Sequence, residues 1–367
     1  MSERAASGPA PDYSARADRL IERLRPEDAE QLLVTSLVNV SWLTGFTGTN
    51  GACLAGPDRR LFLTDFRYAE RAAGITGWEV EIVSGEWLKG VASLLSGTVG
   101  LEDDRITLRE ADRLREMAGE DSRLIPSGGL VEDLRRVKEP AELGAIAAAA
   151  QLTDSIYLEV IEAGLTGRSE AEVSAFVVGR MREEGAEPSF PPIVASGPNG
   201  ASPHAEPGPR EIGRGELVTI DMGSRLDGYC SDCTRTFATG TEADLDDTSR
   251  EIYEVTLAAN LKGLDALGPG IAGSDVDAEA RGVIADAGYG DRFGHGLGHG
   301  VGLEVHEAPR LGPRSEDELR VGEVVTVEPG IYLPGRTGVR IEDMVTVGRE
   351  GVGRNFSSIS KDLTFVS

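Results

Sequence analysis

Apolar and polar positions alternate along the first third of the chain in a pattern that predicts an α/β domain. Strands are predicted at Gln31–Val40 and Ala52–Ala55, on either side of the glycine- and threonine-rich segment GFTGTNG. A third strand is predicted at Arg60–Thr64, and a helix is predicted to begin at Phe66 and reach Ala73. This part of the chain contains no histidine and shows no chemistry of its own.

The charged segment VEDLRRVKEPAEL predicts a domain boundary, with one domain at residues 1–134 and a second at residues 135–367. Pro140, just beyond the charged run, suits the first turn of a helix. We therefore expect a two-domain protein of the α+β or α/β class.

The second domain is predicted to combine helices with β-hairpins. Ser169 and Glu172 form a capping-box pattern that predicts a helix ending near Glu184. The other helices are predicted at Ala141–Glu162, 244–267 and 275–287, and the strands at 191–196, 216–223 with 229–238, and 323–333 with 338–347.

The bulk composition suits a protein with a substantial core. Hydrophobic residues make up 40% of the 367 positions. The sequence contains no run of 18 apolar residues, so no membrane span is predicted. The N-terminal segment MSERAASGPAPDYSARADRL has no apolar centre of the kind that a secretory signal needs. We expect a soluble protein of the cytoplasm.

The chain is strongly acidic, with a formal net charge of −25 at pH 7, and its cations are 33 Arg against 4 Lys. Such a surface repels nucleic acids and anionic membranes, so neither is expected as a partner. Self-repulsion that salt relieves is typical of proteins from salt-loving microbes. An acidic protein from a GC-rich genome is the alternative, because such genomes also favour arginine over lysine.

The three cysteines, Cys53, Cys230 and Cys233, do not predict a disulfide framework. Cys230 and Cys233 form a C-x-x-C pair, but a zinc site needs a second pair, which the chain lacks. A redox pair would open a helix, whereas this pair lies in a strand-like run. We expect reduced thiols without a catalytic role.

Two acidic residues interrupt the first predicted hairpin of the second domain, LVTIDMGSRLDGYCSDCTRTF. A turn at Leu226-Asp227 would place Asp221 directly opposite Asp232, about 5 Å away. A turn at Asp227-Gly228 would make the two carboxylates diagonal neighbours. Either arrangement needs a cation or a shared proton, because two close carboxylates repel each other.

The last predicted hairpin, EVVTVEPGIYLPGRTGVRIEDMVTV, repeats this arrangement. A three-residue turn centred on Gly335 pairs Glu328 with Glu342, and Arg340 shares the strand face of Glu342. Four carboxylates with a nearby histidine favour Mn²⁺, Co²⁺, Fe²⁺ or Mg²⁺. Two such cations about 3.5–4 Å apart could share bridging carboxylates and hold a hydroxide.

Three of the four histidines, His295, His299 and His306, lie in one stretch, FGHGLGHGVGLEVHEAP. This stretch matches neither a phosphate-binding loop nor G-x-G-x-x-G, and Arg310 excludes H-E-x-x-H. Its glycines favour close approach of the backbone to a crowded centre. The fourth histidine, His204, lies in the loop segment IVASGPNGASPHAEPG.

The order of the motifs IVASGPN…PH, TIDMG…YCSDCTRT, GHGLGHGVGLEVHE, TVEPGIY and VRIED resembles the proline-specific metallopeptidases of the pita-bread fold. These are the Xaa-Pro dipeptidases (prolidases) and the Xaa-Pro aminopeptidases, relatives of creatinase. The segments SLVNVSWLTGFTGTNG and FLTDFRYAE are similar to the creatinase-type N-terminal domain. The resemblance therefore implies a creatinase-type N-terminal α/β domain followed by a pita-bread metallopeptidase domain.

This resemblance implies two divalent metal ions per subunit, with Mn²⁺ or Co²⁺ favoured and Zn²⁺ or Fe²⁺ as alternatives. It also implies a homodimer. The implied metal ligands are Asp221, Asp232, His299, Glu328 and Glu342.

The resemblance further assigns roles around the metals. His204 and His306 are implied to contact the substrate and assist catalysis, His295 to be an accessory histidine, and Arg340 to support a bridging carboxylate and proton movement. Arg310 is implied to bind the carboxylate of proline in a dipeptide.

The expected activity is hydrolysis of the peptide bond before proline by a metal-bridging hydroxide, with Glu328 as the base. The substrates would be Xaa-Pro dipeptides or peptides with an N-terminal Xaa-Pro. Aminopeptidase P activity on longer peptides, hydrolysis of another amide or ester, and a non-peptidase binding protein on the same fold stay open as alternatives.

Overall fold

A computed structural model describes residues 11–24 and 28–367. The described residues form two compact units, one ending at Arg135 and the other beginning at Arg136. Residues 1–10, on which part of the signal-peptide prediction and the start of the predicted first domain fall, lie outside the described residues.

The N-terminal unit is built on a six-stranded mixed sheet in the order β4-β3-β2-β1-β5-β6. Its apolar core joins strand residues such as Leu33, Leu54 and Leu61 to Val91 and Leu114 from the helices. The strands are β1 Gln31–Val34, β2 Ala52–Gly56, β3 Arg59–Thr64, β4 Glu79–Ile82, β5 Gly97–Leu101 and β6 Ser122–Pro126. The helices are α1 Tyr13–Arg23, α2 Leu37–Thr44, α3 Ala69–Ala72, α4 Trp87–Ala92, α5 Leu108–Met117 and α6 Leu130–Arg136, with a 3₁₀ turn at Phe66–Tyr68 before α3.

The predicted strand Gln31–Val40 is wrong beyond Val34, because the chain turns there and forms α2. The turn is held by the buried carboxylate of Glu102, which accepts hydrogen bonds from the backbone N–H groups of Thr35 (2.6 Å) and Ser36 (2.8 Å). Glu102 also accepts from the amide of Asn39 at 2.6 Å. A contact with a residue so distant in sequence overrides the strand propensity of the apolar run.

The C-terminal unit contains four long helices and four groups of strands. The helices are α7 Pro140–Ala163, α8 Glu170–Glu183, α9 Asp247–Ala266 and α10 Gly273–Asp286, with 3₁₀ turns at Gly197–Ala201 and Gly290–Arg292. The predicted cap of α8 is confirmed, since Ser169 and Glu172 form a reciprocal capping box. Pro140 occupies the first turn of α7, as predicted.

Two sheets of this unit carry the predicted hairpins. One has the order β20-β12-β9-β8 and the other the order β14-β13-β15-β18-β19, while β11-β10-β7 and β16-β17 form smaller sheets. The strands are β7 Glu187–Pro188, β8 Ile193–Ser196, β9 Leu217–Met222, β10 Ser224–Leu226, β11 Tyr229–Cys230, β12 Cys233–Thr239, β13 Gly298–Gly300, β14 Glu307–Leu311, β15 Val324–Val327, β16 Gly330–Leu333, β17 Thr337–Arg340, β18 Asp343–Val347, β19 Val352–Asn355 and β20 Phe365–Val366.

Each of these two sheets packs one face against a pair of helices. Val218 and Ile220 of β9 join α7 and α8 in one apolar cluster. Val325 and Val327 of β15 join α9 and α10 in another. Because side chains alternate along a strand, Asp221 lies on the face of β9 that is turned away from its helices.

The first hairpin turns at Asp227 and Gly228, both with positive φ (50° and 88°). Asp221 is therefore paired with Thr234, and Asp232 is its diagonal neighbour. Of the two registers considered for this hairpin, direct pairing of Asp221 with Asp232 is wrong. The Asp-Gly dipeptide explains the outcome, since both turn residues must adopt a left-handed backbone that glycine and aspartate tolerate.

The last hairpin has the predicted register, with a turn between Leu333 and Thr337 that is centred on Gly335. On the other side of the acidic pair, Val327 pairs with Asp343 in the same register. Glu328 and Glu342 occupy facing positions in the gap between these paired segments.

The glycine-rich segment around His299 forms β13, between β14 and β15. A Cβ atom on Gly298 would lie 2.0 Å from the carbonyl oxygen of Thr326, and one on Gly300 would lie 2.2 Å from that of Ala308. Only glycine allows the backbone to approach so closely, as the sequence predicts. In the described part of the chain, no helix combines the length and the apolar character that crossing a membrane requires.

Candidate metal centre

The five predicted metal ligands converge on the inner faces of the two large sheets. Each is placed at a strand or at an interruption between strands. Asp221 is in β9, Asp232 lies between β11 and β12, His299 is in β13, Glu328 follows β15 and Glu342 precedes β18. All are buried except Glu328, which is partly buried.

His299 lies close to three of the other predicted ligands. Its Nε2 atom lies 3.6 Å from Oδ2 of Asp232 and 3.3 Å from Oε1 of Glu328. One ligand atom each from Asp232, His299 and Glu342 lie within 4.8 Å of one another. This spacing allows all three residues to bind one cation.

The carboxyl groups differ in pKa because their surroundings differ. Burial, with repulsion from neighbouring carboxylates, holds the pKa values of Asp232 and Glu342 well above the ordinary range. Burial also raises the pKa of Asp221, although the Arg340 guanidinium opposes the shift. Burial acts in the same direction on Glu328, but hydrogen bonding and charge from His299 outweigh it, so its pKa is lowered.

Among the predicted ligands, two buried carboxylate oxygens have no hydrogen-bond donor in the residues that the structure describes. They are Oδ1 of Asp221 and Oε1 of Glu342. A buried carboxylate oxygen without a donor is costly, and a bound cation removes that cost. The oxygen-rich donor set with one imidazole fits hard or borderline divalent cations. The residues present therefore fit divalent metal binding.

Arg340 links the carboxylates to a tyrosine. Its guanidinium donates to Oδ2 of Asp221 at 2.7 Å, to the Thr234 hydroxyl at 3.0 Å and to the Tyr332 hydroxyl at 3.0 Å. The Thr234 hydroxyl in turn donates to Oε2 of Glu342 at 2.8 Å. Asp221 and Glu342 are thus fixed by one connected set of side chains.

The remaining histidines are less buried than His299, with His295 half-buried and His306 and His204 exposed. The His295 ring is within hydrogen-bond distance of the Tyr332 hydroxyl (2.9 Å), and burial lowers its pKa. The His306 ring lies edge-on to that of His299, with centroids 4.4 Å apart. Burial and the neighbouring His299 lower the pKa of His306. His204 is exposed on its loop.

A cavity of about 1020 Å³ connects these groups. Four of the five predicted ligands and all four histidines line it, together with Arg340. Arg310 and Arg314 also line the cavity, and so do Phe190, Pro191 and Pro192. Every residue predicted for catalysis or substrate binding therefore borders a single space.

The chain matches two protein-family models. Residues 16–137 match the Creatinase/Prolidase N-terminal domain. Residues 144–349 match Metallopeptidase family M24, and this segment contains every predicted ligand. The chain belongs to metallopeptidase family M24. The creatinase-type N-terminal domain and the pita-bread M24 domain expected from the sequence are thereby confirmed.

Relatives of this M24 protein match it along nearly its whole length. A Xaa-Pro dipeptidase of Pyrococcus furiosus is 33% identical over 347 residues, which are 92% of this chain and 97% of the relative. The solved structure of a Xaa-Pro dipeptidase from Bacillus anthracis is 38% identical, with a TM-score of 0.93 over 97% of this chain and all of that one. An X-Pro aminopeptidase from Thermotoga maritima is 32% identical, with a TM-score of 0.87 over 96% and 100% of the two chains.

Two residues of the M24 site were absent from the sequence prediction, Thr234 and Tyr332. Thr234 faces Asp221 across the hairpin, so the correct register would have identified it. Tyr332 lies four residues after Glu328, beyond the interruption of the strand, where simple alternation no longer gives the direction of a side chain.

Proposed function

We propose that this M24 protein hydrolyses the peptide bond before proline, with Xaa-Pro dipeptides as its substrates. The proposal is carried by the arrangement of the predicted ligands, four of which line one cavity while Glu342 lies within reach of Asp232 and His299, in a chain that M24 relatives match over nearly its full length. Relatives named dipeptidase from Pyrococcus furiosus and Bacillus anthracis favour the dipeptide over longer substrates.

Asp221, Asp232, His299, Glu328 and Glu342 would hold two divalent cations. Such cations polarise a substrate carbonyl and provide a nucleophile from water near neutral pH. We propose Mn²⁺ or Co²⁺ as the native metal, because the donors are mostly carboxylate oxygens.

The side chains around the ligands have separate tasks in this proposal. Glu328, which is partly buried and faces the cavity, accepts the proton of the attacking water and delivers it to the proline nitrogen that leaves. His306 donates a hydrogen bond to the oxyanion that develops on the carbonyl oxygen. Arg340 fixes the Asp221 carboxylate. Arg340 also donates a hydrogen bond to the Tyr332 hydroxyl, which is within hydrogen-bond distance of the His295 ring.

Substrate recognition is assigned to the cavity wall. His204 contacts the bound peptide. Arg310 is exposed in β14 and lines the cavity, where its guanidinium would bind the free carboxylate of proline. Aminopeptidase P activity would require the same wall to accept a chain that continues beyond proline. The solved structure from Thermotoga maritima, named X-Pro aminopeptidase, is the observation that keeps this second candidate.

The deciding experiment compares a Met-Pro dipeptide with a Met-Pro-Xaa tripeptide, using chelator-treated protein in molar salt before and after Mn²⁺ or Co²⁺ is added. Metal-dependent cleavage of the dipeptide alone establishes a prolidase. Faster cleavage of the tripeptide than of the dipeptide establishes an aminopeptidase P. Absence of cleavage with metal bound would refute hydrolysis before proline.

Arg310→Ala refines this comparison. It is expected to raise KM for Xaa-Pro and to spare Xaa-Pro-Yaa, because only the dipeptide places its carboxylate beside the guanidinium. Equal effects on both substrates would contradict the role of Arg310. Glu328→Gln with retained metal is expected to abolish turnover.

We further propose a cytoplasmic homodimer whose acidic surface is adapted to high salt, with the domains divided at residues 134 and 135. The net charge of −25 supports the salt adaptation. Light scattering in molar salt measures the mass of the particle, and a monomer would exclude the dimer.

A further inference from the structure

The loop that carries His204 contains little regular structure, yet a buried carboxylate outside the loop binds it. The loop runs from Ser196, at the end of β8, to Leu217, at the start of β9, and its one regular element is the 3₁₀ turn Gly197–Ala201. Glu170, the first residue of α8, has no exposed surface. Its carboxylate points into the base of this loop.

Both oxygens of Glu170 accept hydrogen bonds from the loop. Oε1 accepts from the backbone N–H of Ser196 (2.8 Å), from its hydroxyl (2.8 Å) and from the side-chain amide of Asn199 (3.1 Å). Oε2 accepts from the Asn199 amide (2.9 Å) and from the backbone N–H of Gly208 (3.3 Å). One carboxylate therefore binds the loop before and after His204.

The backbone around Glu170 adds two further bonds to the same loop. The N–H of Glu170 donates to the carbonyl of Arg210 at 3.0 Å, and the N–H of Ala171 donates to that of Gly208 at 2.9 Å. Arg210 also donates to the Ser196 hydroxyl at 2.6 Å and forms an ion pair with Glu216. The first turn of α8 and both ends of the loop thus form one hydrogen-bonded unit.

The far side of the loop meets the last hairpin, which carries Glu328 and Glu342. The 3₁₀ turn packs against β17 so closely that a Cβ atom on Gly338 would lie 2.0 Å from the carbonyl oxygen of Gly200. The carbonyl oxygen of Pro203 accepts from Arg340 at 3.3 Å. His204 follows immediately and faces the cavity. Glu170 itself touches neither the cavity nor any predicted metal ligand in the described contacts.

We propose that Glu170 is a positioning residue for substrate binding, which holds the His204 loop at the distance from the metal ligands that a Xaa-Pro peptide requires. The proposal rests on the proposed peptidase function, because His204 matters as a substrate contact. An ionised carboxylate is needed, since its four lone-pair sites accept from three residues at once and a neutral amide would present a donor to other donors.

Glu172 provides a matched control. It lies in the same first turn of α8 and also accepts hydrogen bonds there, from the backbone N–H and the hydroxyl of Ser169 at 2.7 and 2.8 Å. However, it is exposed and binds only the start of the helix. Glu170→Gln and Glu172→Gln therefore make the same chemical change beside the same helix, but only the first loosens the loop.

The test is steady-state hydrolysis of Met-Pro by metal-loaded wild type, Glu170→Gln, Glu172→Gln, His204→Ala and the Glu170→Gln/His204→Ala double variant. Glu170→Gln is expected to raise KM roughly tenfold or more, with a smaller effect on kcat and unchanged metal content. Glu172→Gln should match wild type. The double variant should resemble His204→Ala, because Glu170 acts through that loop. An additive effect in the double variant, or a KM equal to that of wild type, would overturn the proposal.

A readout that is independent of activity separates this proposal from the proposed function. Hydrogen–deuterium exchange of peptides covering 197–208 is expected to be faster in Glu170→Gln than in Glu172→Gln. Unchanged exchange overturns the proposal, whether or not the wild type cleaves Met-Pro. If Glu170→Gln does not fold, Asn199→Ala removes two of the five loop contacts from the other side. That variant should raise KM and exchange in the same direction, and no change in either would again overturn the proposal.

Discussion

At the scale of single residues, Asp232 and Glu342 show how the buried carboxylates of the site affect the stability of the protein. Both are buried side chains in a group of close carboxylates, and the pKa of each is held well above its ordinary range by burial and by neighbouring negative charge. A folded-state pKa above the unfolded one means that stability is lost as the pH rises from the unfolded pKa towards the folded one. The metal-free protein is therefore destabilised at neutral pH by these two proposed metal ligands.

Glu342→Gln is expected to stabilise the metal-free protein by about 1–2 kcal/mol at pH 7.5, because the neutral amide removes a buried, repelled charge. The same variant should lose most of the rise in melting temperature that Mn²⁺ gives the wild type. Thermal melts with chelator and with Mn²⁺ measure both effects. Glu350→Gln, at an exposed position, is the control and should behave as wild type.

The C-x-x-C pair is expected to be chemically silent in the folded protein. All three cysteines are free and buried. Burial raises the pKa of Cys230 to about 11, and it raises that of Cys233 further. Titration with a colorimetric thiol reagent at pH 8 should detect no rapidly reacting thiol in the native protein and three after unfolding. Fast native reaction of Cys230 or Cys233 would reopen a redox role.

At the scale of elements, the segment before α7 is tied to β14 by a buried ion pair. Nζ of Lys138 lies 3.2 Å from Oε2 of Glu307, and the two side chains are 1% and 7% exposed. Glu307 follows His306 directly, so the ion pair also fixes the end of the histidine segment. A buried pair of this kind is sensitive to removal of one partner alone.

Lys138→Met is expected to lower the free energy of unfolding by about 3 kcal/mol, because the variant removes the positive charge beside a buried carboxylate. Adding Glu307→Gln should restore part of that loss, since the double variant buries no unbalanced charge. Urea unfolding of both variants measures the difference. A double variant less stable than Lys138→Met would contradict this account.

How far the elements could be predicted depended on how local their determinants are. Pro140 in the first turn of α7, the cap of α8 and the turn at Gly335 are set by residues adjacent in sequence, and all three predictions are confirmed. The two turns considered for the first hairpin, at Leu226-Asp227 and at Asp227-Gly228, differ by one position. The sequence pattern therefore left both registers open. The helix α2 was missed because Glu102, which turns the chain ahead of it, is distant in sequence.

The site was more predictable than the elements around it, because a metal centre needs particular residue types at particular positions. Carboxylates in apolar strands are costly without a cation, and this cost marks them in the sequence. Glu170 carries no such mark. It has the appearance of an ordinary helix-start carboxylate, and only the folded loop shows what it binds.

At the scale of the whole molecule, the main electrostatic feature is the excess of acidic side chains. With a net charge of −25, mutual repulsion opposes the compact state, and it is screened once the Debye length falls to about 3 Å in molar salt. These charges lie mostly on the surface, so the effect is separate from that of the buried ligands.

The melting temperature is therefore expected to rise by several degrees or more between low and molar KCl, because screening weakens the repulsion. The increase should shrink near pH 5, where protonation begins to remove the carboxylate charge. Melting curves at the two pH values, with metal content held constant, test this. A melting temperature independent of KCl at pH 7.5 would exclude salt adaptation.

The wide sequence separation of the proposed ligands has a consequence for when a metal ion can bind. The donors run from Asp221 to Glu342 and come from two hairpins and the strand between them. No short fragment offers more than two of them at the right spacing, so the unfolded chain has little means of capturing a cation. With this proposed ligand set, metal would bind only after folding, and the choice among competing ions would depend on the folded cavity and on which ion is then available.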